Sequence, residues 1–277
     1  MIEIDGSYGE GGGQVLRTSL SLAAITGKPI RIYNIRAKRK KPGLAAQHLT
    51  SVRAAAAICH AKLRGDAFGS MMLEFTPGGS VQAGNYTFDV SEAREGGSAG
   101  AVTLVLQTIL LPLAIADGDS QVTLRGGTHV AFSPSTTYIE QVYLPMLQQM
   151  GVEAQVKLGA WGWYPQGGGE VQLRVSGGTK PTGINLLERG DLQQIRGLAV
   201  VTELPANIPQ RMANRAEKLL QEAKLKVTVQ ALREKGIAPG AGLFLTAKYK
   251  NSLAALLGWE RSGCHQKKLP KSLVRNC

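Results

Sequence analysis

The sequence predicts an α/β fold: repeated two-helix, small-sheet units (an α/β sandwich) with a second, smaller inserted α/β domain. Three observations predict it. The first is an order of elements that occurs twice in the first two-thirds of the chain. The second is a change of pattern near residue 186. The third is composition: 43% hydrophobic and 19% charged residues in a 277-residue chain supply a sizeable core, and 34 glycines supply tight turns.

The first copy opens with Gly11–Gly13 and a helical run over 14–25. Gly27 and a strand-like stretch over 30–35 follow, then a second helix over 44–59. An extended pair closes near Pro77-Gly78-Gly79. The second copy has Gly96-Gly97, a helix over 99–116, Gly118, a strand over 121–124 and a helix over 136–150. Gly151 follows at the position where a helix C-terminus favours glycine. Its extended pair passes through Pro165 and Gly167-Gly168-Gly169. Ile25 and Ile115 lie 90 residues apart, and Pro77 and Pro165 lie 88 apart, so the period is consistent across the unit. These copies fill residues 1–185. Residues 186–250 read as the smaller, incomplete inserted domain, with strands over 198–201, 225–229 and 243–247 and a helix over 211–223.

Charge narrows the partner. The formal net charge of +12 favours a polyanion: RNA, DNA, a nucleotide or an anionic surface. The cysteines, Cys59, Cys264 and Cys277, have no metal-ligand or redox spacing and read as reduced thiols of a cytoplasmic protein. No basic-then-apolar leader opens the chain. The apolar run over 101–116 contains Gln107 and Pro112 and is too short to span a bilayer, so no membrane partner is expected.

Four stretches carry candidate chemistry. Gly9-Glu10-Gly11-Gly12-Gly13-Gln14 brings backbone N–H groups to a helix start, where an anion is favoured. No Gly-Lys-Ser/Thr follows, so it is no Walker loop; a plain strand-to-helix turn is the competing reading. Glu10 offers a carboxylate for a divalent cation, and Arg17 lies one turn into the helix. Next, residues 36–41 hold five cations, including Arg36 and Arg39, before Pro42-Gly43 and then Gln47-His48. Charge runs are ordinarily solvated, but this one begins at a strand end near the glycine loop, where arginine forks suit phosphate. A lone His48 is more often a packing residue. Third, Gln107 inside an apolar helix either bonds a neighbouring backbone or reads an adenine edge. Fourth, Trp163-Tyr164-Pro165-Gln166-Gly167-Gly168-Gly169 reads physically as a tight hairpin.

Together and in this order, these stretches resemble the RNA 3′-terminal phosphate cyclases. The matching patterns are Gly-Glu-Gly-Gly-Gly-Gln with Leu-Arg at 9–17, and Ile-Arg-Ala through Gln-His-Leu-Thr at 35–50. Gly-Gly-Ser-Ala-Gly with Leu-Val-Leu-Gln-Thr lies at 96–108, and Tyr-Pro-x-Gly-Gly-Gly at 164–169. The resemblance implies an ATP-dependent, ligase-type reaction in RNA processing. A histidine takes AMP from ATP and passes it to an RNA 3′-phosphate. The neighbouring 2′-hydroxyl then closes a 2′,3′-cyclic phosphate and releases AMP. It also implies Mg2+ or Mn2+, and an RNA with a 3′-phosphate end as partner. By position it makes Glu10 the metal- and phosphate-contacting residue. Arg17, Arg36, Arg39, Gln47 and His48 become the phosphate and RNA pocket, and Gln107, Pro134 and Tyr138 the ATP-binding residues with Glu10.

Two departures stand out. Trp161 occupies the place where the family's triple-glycine signature opens with Arg or His. The nucleophilic histidine, which the family carries after a Leu-Ala-Asp-Gln stretch, has no counterpart: His48, His60, His129 and His265 all lie in other contexts. The resemblance therefore predicts that this chain is inactive by itself. Residues 251–277 read as a basic tail outside the family. From Lys248 onward seven Lys or Arg face one acid, Glu260. Back-translation of 258–277 admits another frame that gives an acidic amphipathic helix, so a frameshifted origin is expected for the tail. Two other classes compete: a non-catalytic RNA-binding relative acting in RNA processing, and a small-molecule transferase of similar repeated units, such as the enolpyruvyl transferases. The basic run and the net charge favour RNA over a small metabolite.

Overall fold

The computed structural model describes residues 1–259; the expectation for the stretch beyond residue 259 lies outside the described residues. The chain divides into two compact units. One comprises Met1–Thr136 and Gly151–Thr182, the other Thr137–Met150 and Gly183–Cys277.

The first unit confirms the duplication. Its first copy is β1 (Ile2–Asp5), α1 (Gly13–Thr26), β2 (Ile30–Tyr33), α2 (Ala46–Cys59), β3 (Lys62–Arg64) and β4 (Leu73–Thr76). The sheet order is β1-β2-β4-β3. The second copy holds β5 (Asn85–Asp89), α3 (Val102–Ile115), β6 (Ser120–Gly126), β7 (Ala154–Ala160) and β8 (Gly169–Val175), in the order β5-β6-β8-β7. In both sheets the first pair is parallel and the remaining pairs are antiparallel. Parallel pairing needs a crossover, and α1 and α3 supply it. The sequence reading missed the opening strands β1 and β5. Each is only four or five residues long, a length at which alternation is a weak signal.

The helices follow from their apolar spacing. In α1, Leu16, Leu20, Ala23 and Ala24 make one buried stripe, and Gly27 ends the helix at φ 66°, where glycine carries no Cβ penalty. By contrast, α3 is buried almost all round because it packs against α1, α2, β6 and β8. Ser21 Oγ donates to the Thr108 carbonyl at 2.6 Å and fixes α1 against α3.

The helix expected over 136–150 is a composite. It begins as α4 (Thr136–Tyr138), widens to a π-helical stretch over Ile139–Tyr143, and resumes as α5 (Leu144–Gln148). Pro145 explains the irregularity: it has no N–H to donate to the preceding turn.

The second unit is a sheet of order β10-β9-β11-β12 with one long helix. Its elements are β9 (Leu192–Thr202), α6 (Asn207–Glu222), β10 (Val227–Glu234), β11 (Gly240–Tyr249) and β12 (Leu253–Trp259). Ala213, Ala216 and Leu220 of α6 pack on Ala199, Val229, Leu243 and Leu245 of the sheet. Thr246 Oγ1 donates to Gln141 Oε1 at 2.6 Å, joining the sheet to the composite helix. The strands are longer than the sequence indicated. The stretch read as a basic tail from 251 onward begins with β12, paired antiparallel with β11. That register puts Leu253, Ala255 and Leu257 on one face and Ala254 and Leu256 on the other, so both faces are apolar and no alternation is visible.

Leu106, fully buried in α3, provides a test of the helix-sandwich core. Leu106→Ala is expected to cost roughly 2–5 kcal/mol by urea denaturation, the range for a large-to-small change at a packed site. A loss under about 1 kcal/mol would contradict the packing described.

Candidate functional site

A turn at the end of β1 starts the site. Asp5 Oδ1 accepts from the Ser7 N–H at 2.9 Å, and the Gly6 N–H donates to the Tyr33 carbonyl at 2.7 Å. Gly9 and Gly11 then adopt φ 58° and 60°, which favours residues without a Cβ. Gly12 precedes α1 and makes no side-chain cap, so the first-turn N–H groups face outward with their partial positive charge.

Around this loop the structure gathers five of the predicted residues: Glu10, Arg17, Arg36, Arg39 and His48. Arg17 is 9% exposed; one of its terminal nitrogens donates to Gln14 Oε1 at 2.9 Å, while its Nε–H is buried without an acceptor. A Cβ at Gly13 would lie 2.3 Å from His48 Nε2 and 2.8 Å from Arg17 Nη1, so both side chains press on the start of α1. A Cβ at Gly12 would lie 2.9 Å from Arg39 Nη2. Arg39 in turn pairs with Glu10 across the mouth of the loop. Arg36, at φ 53°, donates to the Gly43 carbonyl at 2.7 Å and closes its own loop. Burial, and then the neighbouring Arg39, lower its pKa.

His48 is held neutral. Its Nδ1 accepts from the Ala45 N–H at 3.3 Å, so the ring proton resides on Nε2, next to Gly13. Burial, then Arg36, then Arg17, push its pKa down to about 3. His48 is thus the packed histidine of the plain reading and also a neutral donor within the cationic cluster. Gln47 bridges two helices, because its Oε1 accepts from the Ala101 N–H at 2.9 Å and ties α2 to the start of α3.

The three residues expected around a nucleoside are placed differently. Gln107 is half-buried on α3. Thr103, one turn earlier on the same helix face, donates to the Pro134 carbonyl at 2.7 Å, which puts Pro134 and Gln107 along one stripe. Tyr138 belongs to the other compact unit. Gln14, the acceptor for Arg17, was not picked out from the sequence, although its i, i+3 spacing to Arg17 was visible. Trp161, the departure in the triple-glycine signature, packs at a tilt against His129 with ring centres 4.4 Å apart and stacks on Trp163 at 5.5 Å. It has become part of an aromatic cluster. Among the described residues no group of three or more His, Cys, Asp or Glu is placed to hold a metal, and no helix is long and apolar enough to cross a membrane.

The state of His48 has a pH signature. Its folded pKa lies below the ordinary 6.5, so on acidification the unfolded chain takes up that proton first. The stability it contributes is complete above about pH 6.5 and is lost progressively toward pH 3. His129, wholly buried and also pushed to about 3, acts in the same direction. His48→Gln is expected to flatten the fall in unfolding free energy between pH 6.5 and 5, measured by urea denaturation. An unchanged slope would show that His48 is not a buried neutral group.

The family model for RNA 3′-terminal phosphate cyclase matches residues 8–267, which span the glycine loop, the cationic cluster and all of β12. A protein of that name from Nostoc punctiforme is 78% identical over 261 residues, 94% of this chain and 75% of that one. One from Methylococcus capsulatus is 54% identical over 264 residues, covering 95% and 73%. Another, from Archaeoglobus fulgidus, is 44% identical over 256 residues, covering 92% and 74%. With a family match over residues 8–267 and a relative 78% identical over 94% of its length, the chain belongs to the RNA 3′-terminal phosphate cyclase family.

Proposed function

We propose that this chain binds the 3′-phosphate end of an RNA and the phosphates of ATP in the cationic cluster, as its part in forming a 2′,3′-cyclic phosphate. The observation that carries this reading is the convergence of Arg17, Arg39 and His48 on an uncapped helix start, with Arg36 acting on His48 and one ion-paired carboxylate, Glu10. A buried Arg17 Nε–H without an acceptor is an unfilled donor beside that surface, and a phosphate oxygen is the acceptor such a donor favours.

The reaction has three steps. A histidine nitrogen bonds the α-phosphorus of ATP and pyrophosphate leaves. An oxygen of the RNA 3′-phosphate then bonds that phosphorus and the P–N bond breaks. Last, the 2′-hydroxyl oxygen bonds the 3′-phosphorus, its proton is lost, and AMP leaves. Arg17, Arg36 and Arg39 neutralise the phosphate oxygens, and the His48 Nε2–H supplies a neutral donor. Gln107 and Pro134 are the groups that the first unit offers the adenosine. A single carboxylate fits Mg2+ or Mn2+, which takes most of its ligands from phosphates and water; Glu10 would hold it, and it would add charge neutralisation there.

The described histidines support assigning the holding role, not the nucleophile, to these residues. His48 is neutral and engaged at Nδ1, His129 is buried among tryptophans, and His60 caps α2 away from the glycine loop. None of these described histidines is therefore expected to carry the adenylyl intermediate. A non-catalytic RNA-binding role is the second reading, favoured by the same observation. Self-adenylylation with labelled ATP decides between them.

Two outcomes follow. An oligoribonucleotide ending in a 3′-phosphate should bind more tightly than its 3′-hydroxyl form by fluorescence anisotropy. Arg39→Ala should reduce the log–log salt slope by roughly 0.7, one phosphate contact. Arg36→Ala should do the same and also loosen the 36–43 loop, since it removes the bond to Gly43. Equal affinity for both ends with an unchanged slope would return residues 36–41 to a solvated face. Separately, calorimetry should find ATP with Mg2+ bound weaker than about 100 μM, an affinity of roughly −5.5 kcal/mol. Micromolar binding would show that the described residues suffice for the nucleotide.

A further inference from the structure

The second copy of the repeat has its own cavity at the place where the first copy has its glycine loop. The equivalence is local and geometric. Asp89 Oδ1 accepts from the Ser91 N–H at 2.8 Å, as Asp5 does from Ser7. The Val90 N–H donates to the Arg125 carbonyl at 2.9 Å, as Gly6 does to Tyr33. Beyond this turn lies a cavity of about 360 Å3, whose walls include Asp89, Ser91, Ser98, Arg125, Gln166 and Glu170. Its size falls in the roughly 300–1,000 Å3 range of small-molecule sites.

The chemistry of this cavity differs from that of the cationic cluster. Asp89, Arg125 and Glu170 stand side by side in strand register. Arg125 Nε donates to Glu170 Oε2 at 3.0 Å. Asp89 Oδ1 accepts twice from Ser91, and its second oxygen has no hydrogen bond among the described residues. Two carboxylates against one guanidinium disfavour a phosphate, and the guanidinium between them disfavours a metal ion. What fits is an uncharged group rich in N–H and O–H donors, with a flat surface for the Arg125 plane. Carboxylates accept from the ring N–H and amino groups of nucleobases or from ribose hydroxyls.

The location selects the source. The turn through Ser98, Gly100 and Ala101 is the common wall of cavity and cationic cluster. Ser98 lines the cavity, while Ala101 bonds Gln47 on the other side and a Cβ at Gly100 would lie 3.1 Å from the Gln47 Cβ. We infer that the cavity receives a nucleoside of the substrate RNA next to its 3′ end, so that one copy of the repeat takes phosphate and the other takes base and sugar. This rests on the function proposed above. Adenosine of ATP is the other source of the same chemistry.

The test uses a substitution for which simple electrostatics and the inference differ in sign. Asp89→Asn preserves Oδ1 for the Ser91 turn and removes a negative charge. If the cavity is bystander surface, RNA binding stays the same or tightens. If Asp89 accepts from a nucleoside, affinity for the 3′-phosphorylated oligonucleotide falls about 10-fold, the size of one charge-assisted hydrogen bond, with an unchanged salt slope. Gln166→Ala, at an exposed position, should act in the same direction by a few fold. Oligonucleotides with a single abasic residue at each of the last three positions locate the contact: one of them should bind wild type and Asp89→Asn equally. Equal or tighter binding by both variants overturns the inference. Loss of ATP affinity without loss of RNA affinity in Asp89→Asn also overturns it, assigning the cavity to adenosine. Wild-type protein that does not bind the oligonucleotide overturns the functional reading itself.

Discussion

A side chain at position 13 has nowhere to go: its Cβ would meet His48 Nε2 at 2.3 Å and Arg17 Nη1 at 2.8 Å. That steric limit organises the first unit. It lets α2 and α1 approach until a neutral imidazole and a buried guanidinium both touch the first turn of α1. It also leaves the helix-start N–H groups uncovered. Charge repulsion would otherwise oppose gathering Arg17, Arg36 and Arg39; after burial, which is the larger cause, it lowers the pKa of Arg36 and of His48. The core below holds them together: Leu16 and Leu20 of α1 are sealed among α2 and α3, so the loop geometry follows from apolar burial and not from ion pairing.

Duplication explains how one unit presents two chemically unlike surfaces. The copies share strand order, pairing sense and the Asp-x-Ser turn after the first strand. They differ in what the following loop carries. The first has glycines against arginines; the second has Ser98 and Gly100 against a charge-balanced strand register. Gln47 spans the copies through Ala101, so displacing either loop displaces the other. A residue that a motif reading places among phosphate ligands is therefore already employed in fixing the distance between the two surfaces.

The sequence revealed the duplication, the helices of each copy and the residues around the glycine loop because these depend on local spacing. Glycine before a helix, five cations in six residues and a Gln-His pair opening a helix are visible without partners. What failed needed partners. β1 and β5 gain their stability from β2 and β6, and short segments carry little pattern of their own. β12 has apolar residues on both faces and gave no period. Pro145 was in view, but its remedy, a π-helical turn, depends on the segment staying helical on both sides. The second cavity draws on β5, β6, β7, β8 and two loops, so no window of sequence contains it. Trp161 was legible only as a missing cation; its role appeared once His129 and Trp163 were seen beside it.

Concentrating unpaired cations is destabilising for a free protein, and the structure limits that cost in two ways. His48 stays neutral, which removes a fourth charge from the cluster. Glu10, at the rim, pairs with the outermost cation, Arg39, where both side chains are solvated enough to separate easily. The inner cation, Arg17, has no carboxylate partner among the described residues and keeps a buried N–H without an acceptor. The cluster is thus graded: a weak, exposed ion pair at the mouth and an unsatisfied donor inside.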